Sequence, residues 1–484
     1  MEELDVQTVT RRSIHGVFAL VSRTFLIQLV SFAVASLLYA FLKQAEIGIF
    51  YVVSAAIAFL SYFSDVGLAA ALIQKKEEIT NEDLRTTFTI QQILVVTVVL
   101  VALLLSNWVG GFYHLNIDGV HLFQALVVAF FFSSLKTIPS IILERKLAFD
   151  KLVIPEIVET IVFNGLVLYF AVKGFGITSY TYAVLARGAV GLITIYIIAP
   201  WRIQIGLSKK VARRLLSFGL PFQSNSILAL LKDDLLTLYL GKVLPFAELG
   251  YVGFAQKWAQ APLSLIMNNM IRITFPSFSR LAHETNFLGR AIEKTLFATV
   301  FLIFPSLTGL VILSPYFIHF IPKYQKWEPA LFSLAFFAIN SALSAISTPL
   351  TNALNAIGHV KTTLYLMIFW TIATWILTPA AIFIFGFNGV AVASAIISLS
   401  VVAVVFLVKR FIPFNLFHVV FSPLVASVIM GILVYIISPV VIHNLFYLAG
   451  MVLFGVVVYF GVIFLIARQM VISDVRMVLE NIKN

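Results

Sequence analysis

Cysteine is absent from the 484 residues, and charge is scarce: Asp, Glu, Lys and Arg together make up 11%. The first absence excludes disulfides, thiolate metal sites and thiol nucleophiles, while leaving the compartment open. The second excludes a water-soluble globule, because so few charged side chains cannot cover a chain that is 61% hydrophobic with a mean hydropathy of +1.01. The composition is that of an all-α polytopic membrane protein. Catalytic signatures are also missing: the sequence holds no P-loop, no paired-histidine metal spacing and no Gly-x-Ser-x-Gly elbow. Its eight histidines are scattered, most of them at the ends of apolar runs.

Long apolar runs dominate what is there. A membrane helix needs about 20 mainly apolar residues, and runs of that length fall at approximately 13–42, 46–73, 86–112, 120–142, 152–173, 177–200, 213–242, 246–275, 291–321, 327–357, 361–385, 388–409, 413–438 and 443–467. These are spans 1 to 14. The first run is longer than the h-region of a secretory signal and reads as a permanent span. Connections are too short for a soluble domain. Assigned alternately to two sides, the loops and tails hold 22 Lys and Arg on one side and five on the other. The positive-inside rule makes the richer side cytoplasmic, with both termini there, and predicts a multi-pass protein of the cell membrane. The net charge of +11 is largely this signal together with attraction to anionic headgroups. Nucleic acid is not needed to explain it.

Six cations lie inside the spans: Arg23, Lys136, Arg187, Lys232, Lys257 and Arg272. A charge at the bilayer centre costs roughly 3 kcal/mol on insertion scales, so such residues face protein or a watery cavity. Held basic charge points to an anion that enters the membrane. Lys136 and Arg272 lie near the cytoplasmic end and are expected to reach the headgroups, Lys136 above all. Arg187 has Glu156 and Glu159 of the neighbouring span as candidate partners. The strongest constellation is in span 8, where Lys257, Gln260, Ser264, Asn268 and Arg272 follow at steps of 3, 4, 4 and 4 and so share one helical face. Span 2 adds Ser54, Ser61 and Asp65; span 7 adds Ser226, Asp233 and Thr237 on one side, with Lys232 about 100° away.

An internal repeat orders these spans. Leu38-Tyr39 followed by Ala45-Glu46-Ile47-Gly48 returns as Leu238-Tyr239 followed by Ala247-Glu248-Leu249-Gly250, and Gly174-Phe175-Gly176-Ile177 is echoed by Phe385-Gly386-Phe387-Asn388-Gly389. The expected organisation is an N-lobe 1–206, a C-lobe 207–412 related to it by an axis along the membrane normal, and two further helices with a cytoplasmic tail in 413–484. Sites in such transporters lie between the repeats.

Phe63-Ser64-Asp65-Val66-Gly67-Leu68-Ala69-Ala70-Ala71-Leu72-Ile73-Gln74, Phe218-Gly219-Leu220-Pro221, Leu249-Gly250-Tyr251, Pro262 and Phe275-Pro276-Ser277-Phe278-Ser279-Arg280-Leu281 carry a resemblance in their order and spacing. The chain resembles the Wzx-like polysaccharide transporter family of the multidrug/oligosaccharidyl-lipid/polysaccharide exporter (MOP) superfamily. The resemblance implies two six-helix lobes in a V, as in multidrug transporters of the superfamily, and two extra C-terminal helices, as in its lipid II flippases. It implies a flippase rather than an enzyme. The cargo would be polyprenyl-pyrophosphate-linked oligosaccharide for O-antigen, capsule or exopolysaccharide assembly, carried by a monomeric transporter unit working beside glycan polymerase or other assembly proteins. No cofactor is expected. Coupling to a proton or sodium gradient would involve Asp233 or Asp234, although span 11 offers only Thr371, Thr374 and Thr378 where a complete sodium site would have an acid. Arg23, Lys257, Lys232, Asp65, Gln260, Ser264, Asn268, Arg272 and Arg187 are the expected cavity residues. Two other readings stay open: a cation antiporter of the same superfamily, whose cavity should lean acidic, and a membrane glycan polymerase or glycosyltransferase, which should carry a large catalytic loop.

Overall fold

The computed structural model describes residues 27–65, 67–75, 77–224 and 227–466, and these residues form helices, short 3-10 turns and loops with no strand. Arg23 and Ser226 lie outside the described residues, and of Asp65 only the backbone, at the end of its helix, is described. The described chain divides into two compact units, residues 1–250 and 251–484.

In the first unit the helices are α1 Ile27–Phe41, α2 Gln44–Asp65, α3 Leu68–Gln74, α4 Asn81–Leu104, α5 Ser106–Tyr113, α6 Ile117–Leu135, α7 Thr137–Arg145, α8 Phe149–Val172, α9 Thr178–Ile198, α10 Lys209–Ser224, α11 Ile227–Lys232 and α12 Asp234–Val243. Hydrocarbon leaves no other route for backbone satisfaction than long helices, and local chemistry sets where they begin. Thr80 starts α4 with a capping box: its hydroxyl accepts from the Asp83 amide at 3.2 Å and the Asp83 carboxylate accepts from the Thr80 amide at 2.9 Å. Asn116 caps α6 through the Gly119 amide at 2.9 Å. Gly67, at φ +72°, breaks span 2 into α2 and α3.

The second unit continues α13 Phe246–Arg280, which starts in the first, and adds α14 Thr285–Phe320, α15 Leu331–Ala356, α16 Val360–Phe385, α17 Gly389–Ser398, α18 Val401–Lys409, α19 Leu416–Val441 and α20 Leu445–Ile466. Its core is built by α14, α15, α18 and the start of α19, with Leu288, Ile292, Leu296, Leu350 and Val404 fully buried. The last two helices pack on α14: Gly431 lies against Thr308, and the Tyr459 hydroxyl donates to the Phe301 carbonyl at 2.7 Å.

Ten helical stretches among the described residues are long and apolar enough to cross a membrane, and one of them, Val360–Lys409, holds spans 11 and 12 together. Spans 7 and 8, which carry Lys232, Lys257 and Arg272, are not among the ten, and of span 1 only Ile27–Phe41 is described. Span 7 is not the unbroken helix expected: it turns at Asp233, between α11 and α12. The first compact unit extends to Gly250. Span 7 is the reason: Arg214 of α10 donates to Asp83 of α4 at 2.5 Å, Tyr62 and Gln223 exchange hydrogen bonds at 2.7 and 2.9 Å, and Gly241 of α12 lies against Val52 of α2.

Candidate functional site

Helix α13 runs for 35 residues, through Pro262 and Pro276. Phe254 stacks on Trp327 at 4.9 Å, Trp258 meets Phe317 edge-on at 5.1 Å, and Phe278 joins the core of the second unit. Those aromatic anchors fix which face is left open. Lys257, Gln260, Asn268 and Arg272 are exposed and Ser264 is half-buried on that open face, so the row read from spacing is a row in the structure. Lys257 and Arg272 have no hydrogen-bond or carboxylate partner among the described residues.

The other described intramembrane cations are each held by an acid. Lys136 donates to Glu159 at 2.5 Å, and Arg187 reaches the second oxygen of the same carboxylate at 3.4 Å with its guanidinium 5.6 Å from the centre of the Phe163 ring. This corrects the reading of Lys136. Its half-buried side chain, at the junction of α6 and α7, turns to Glu159, which offers a charge partner within the protein. Glu159 in turn occupies the space that a side chain at position 191 would fill, where the sequence has glycine. Sequence reasoning offered Glu159 to Arg187 but did not see that one carboxylate serves two spans; the glycine one helix away was the available signal.

Lys232 pairs with Asp233 at 3.2 Å, the two side chains 29% and 67% exposed. Thr237 donates to the Asp233 carbonyl at 2.8 Å, and the half-buried Tyr51 is hydrogen-bonded to the Thr237 side chain. Missed entirely was the cluster on Asp83, which is 1% exposed and accepts from Lys75 at 2.6 Å and Arg214 at 2.5 Å. The Thr-x-x-Asp spacing that makes its cap was legible.

A cavity of about 440 Å³ opens in the second unit between α13, α14, α19 and α20, lined by Trp258, Phe301, Pro305, Met430, Met451 and Tyr459 among others. No charged side chain lines it, so it suits apolar matter and not a pyrophosphate.

The family described as "Polysaccharide biosynthesis protein" matches residues 37–331. Lipopolysaccharide biosynthesis protein WzxC of Escherichia coli (strain K12) is 24% identical over 67% of this chain and 65% of its own length, so the match spans just under two thirds of that relative. Teichuronic acid biosynthesis protein TuaB of Bacillus subtilis (strain 168) is 24% identical over 77% of each chain. In fold, the chain is similar to the lipid II flippase MurJ in an inward closed conformation, with TM-score 0.76, 17% identity and 93% and 99% coverage of the two chains. An inward-facing multidrug resistance MATE transporter of the MOP superfamily follows at TM-score 0.62 and 15% identity, covering 79% and 95%. The family match over residues 37–331, on a chain whose fold is similar to those of MurJ and a MATE transporter, settles the assignment: this chain belongs to the polysaccharide biosynthesis protein family.

Proposed function

We propose that this transporter moves polyprenyl-pyrophosphate-linked oligosaccharide from the cytoplasmic to the outer leaflet by alternating access, in a cell membrane with both termini cytoplasmic. The observation that carries this reading is the difference among the cations. Lys136, Arg187 and Lys232 have acids, whereas Lys257 and Arg272 have none among the described residues. A pyrophosphate brings the missing negative charge, with arginine offering forked donors and lysine a point charge. Arg23, in the repeat-related span 1, is the third proposed contact, and Gln260, Ser264 and Asn268 supply neutral donors and acceptors between the two cations of α13. Lobes 1–206 and 207–412 rock to expose the bound headgroup to one side and then the other, while residues 413–484 stay outside the repeat. The polyprenyl tail remains in lipid. No covalent bond changes, so no catalytic residue is assigned.

Unpaired basic charge argues against organic cations as cargo, since a cation would meet repulsion from Lys257 in a medium that screens poorly. Asp233 and Asp234 are the proposed coupling groups for a proton or sodium gradient.

Proteoliposomes loaded with a fluorescent polyprenyl-pyrophosphate oligosaccharide test the reading by the rate at which the label becomes accessible from the other leaflet. Movement of the pyrophosphate-linked glycan well above that of protein-free vesicles is expected, and movement of a neutral-headgroup analogue at the same rate would contradict an anion site. Asp233→Asn should slow turnover under an imposed ion gradient while headgroup binding stays measurable; unchanged turnover under every gradient would remove Asp233 from coupling.

A further inference from the structure

Two turns that the sequence repeats meet each other in the structure. Ala45-Glu46-Ile47-Gly48 lies in the first turns of α2, and Ala247-Glu248-Leu249-Gly250 in those of α13. A methyl group added at Gly48 would fall on the Phe246 carbonyl oxygen and 3.1 Å from the Gly250 nitrogen, and one added at Gly250 would fall on the Gln44 carbonyl oxygen. Gln44 and Phe246 are themselves repeat equivalents. They are 202 positions apart, as are Gly48 and Gly250, and each stands immediately before the repeated alanine. Residue 48 thus touches 246 while residue 250 touches 44, which is the reciprocity of a two-fold interface, made here by the two halves of one chain.

Backbone conformation does not account for these glycines. Positive φ occurs at Gly67, Gly174, Gly176, Gly358 and Gly386, and neither Gly48 nor Gly250 is among them. Both sit in helices, where alanine is the better helix former. What glycine supplies at both positions is the close approach of one backbone to another, with room for Cα–H···O contacts.

We propose that this reciprocal glycine contact is the outer gate of the transport cycle, closed in this structure and parting symmetrically when the lobes rock. The proposal rests on the alternating-access reading and on the orientation that puts the sparsely basic loops outside. At these two positions backbone meets backbone, and such a contact can separate with no side chain to withdraw from between the helices. At the opposite end of span 7 the holding contacts are of another kind: Arg214 on Asp83, and the exchanged hydrogen bonds of Tyr62 and Gln223. The outer end closes by shape and the inner end by charge and hydrogen bonding.

The native chain has no cysteine, so introduced thiols label alone. Spin labels at Ile117 and Phe383, which are 65% and 94% exposed, report outer separation by electron–electron resonance in nanodiscs. Gly48→Ala and Gly250→Ala, separately, should each add a population at longer separation. Gly165→Ala, in α8 with open space around it, should not. Unchanged distances in both variants, with only a lowered melting temperature, would make the contact a permanent seam and overturn the gate. Should neither variant fold, cysteines at 44 and 246 in the otherwise native chain keep the question answerable. Joined by a short bis-methanethiosulfonate, they should stop flipping, reversibly on reduction, and flipping at the unlinked rate would overturn the proposal. Absence of flipping by the unmodified chain would instead count against the substrate reading, and the label distances would still decide the gate.

Discussion

Glu159 shows what an intramembrane acid does when it serves two cations. Lys136 and Arg187 approach its two oxygens from different helices, and Gly191 clears the space it occupies. Removing one member of a buried ion cluster leaves uncompensated charge, which costs about 3–5 kcal/mol in buried pairs. Glu159→Gln should therefore lower stability by about 3 kcal/mol, and Lys136→Met in the same chain should restore part of the loss. Thermal denaturation in detergent checks both, and a Glu159→Gln protein as stable as the parent would show the cluster to be solvated. Lys257 and Arg272 are the opposite case. Their substitution by neutral residues removes no pair present in the structure, so stability should hold while transport falls.

At the scale of elements, the departures from sequence expectation arise where one backbone or side chain meets another helix. Span 2 ends early because Gly67 adopts φ +72°, and a side chain there would strike the backbone of Gly219. Gly67→Ala should destabilise twice over, by strain and by collision, whereas Gly111→Ala, with nothing within 4 Å, should be neutral or favourable; parallel melting curves decide it. Asp83→Ala should cost at least about 1 kcal/mol for the lost cap of α4 alone, and Asp83→Asn should cost less if the cap rather than Arg214 dominates. The long apolar helices were legible because period and length announce them, and so was the polar row of α13, since 3.6 residues per turn fixes the face. Breaks were not. The turn at Asp233 and the bend at Lys136 depend on partners in other helices, which no local pattern contains.

For the whole molecule the deciding property is the sign of the intramembrane charge. A membrane chain of this family holds cations in its spans, and the described ones separate into those with acids and the two on α13 without. A flippase for an anionic headgroup needs that surplus, and an exporter of organic cations would be hindered by it. Two compact units, a row of polar residues on one open face and a pair of reciprocal turns fit a transporter whose substrate is held by charge and released by movement. The most direct measurement is the flipping rate of a pyrophosphate-linked glycan in proteoliposomes containing the native chain, Lys257→Gln or Lys257→Glu at equal protein density. An anion site requires the order native, then Gln, then Glu, because the acid adds repulsion to the lost attraction. Equal rates for the Gln and Glu variants, or a Glu variant faster than the Gln one, would contradict Lys257 as a contact of the headgroup.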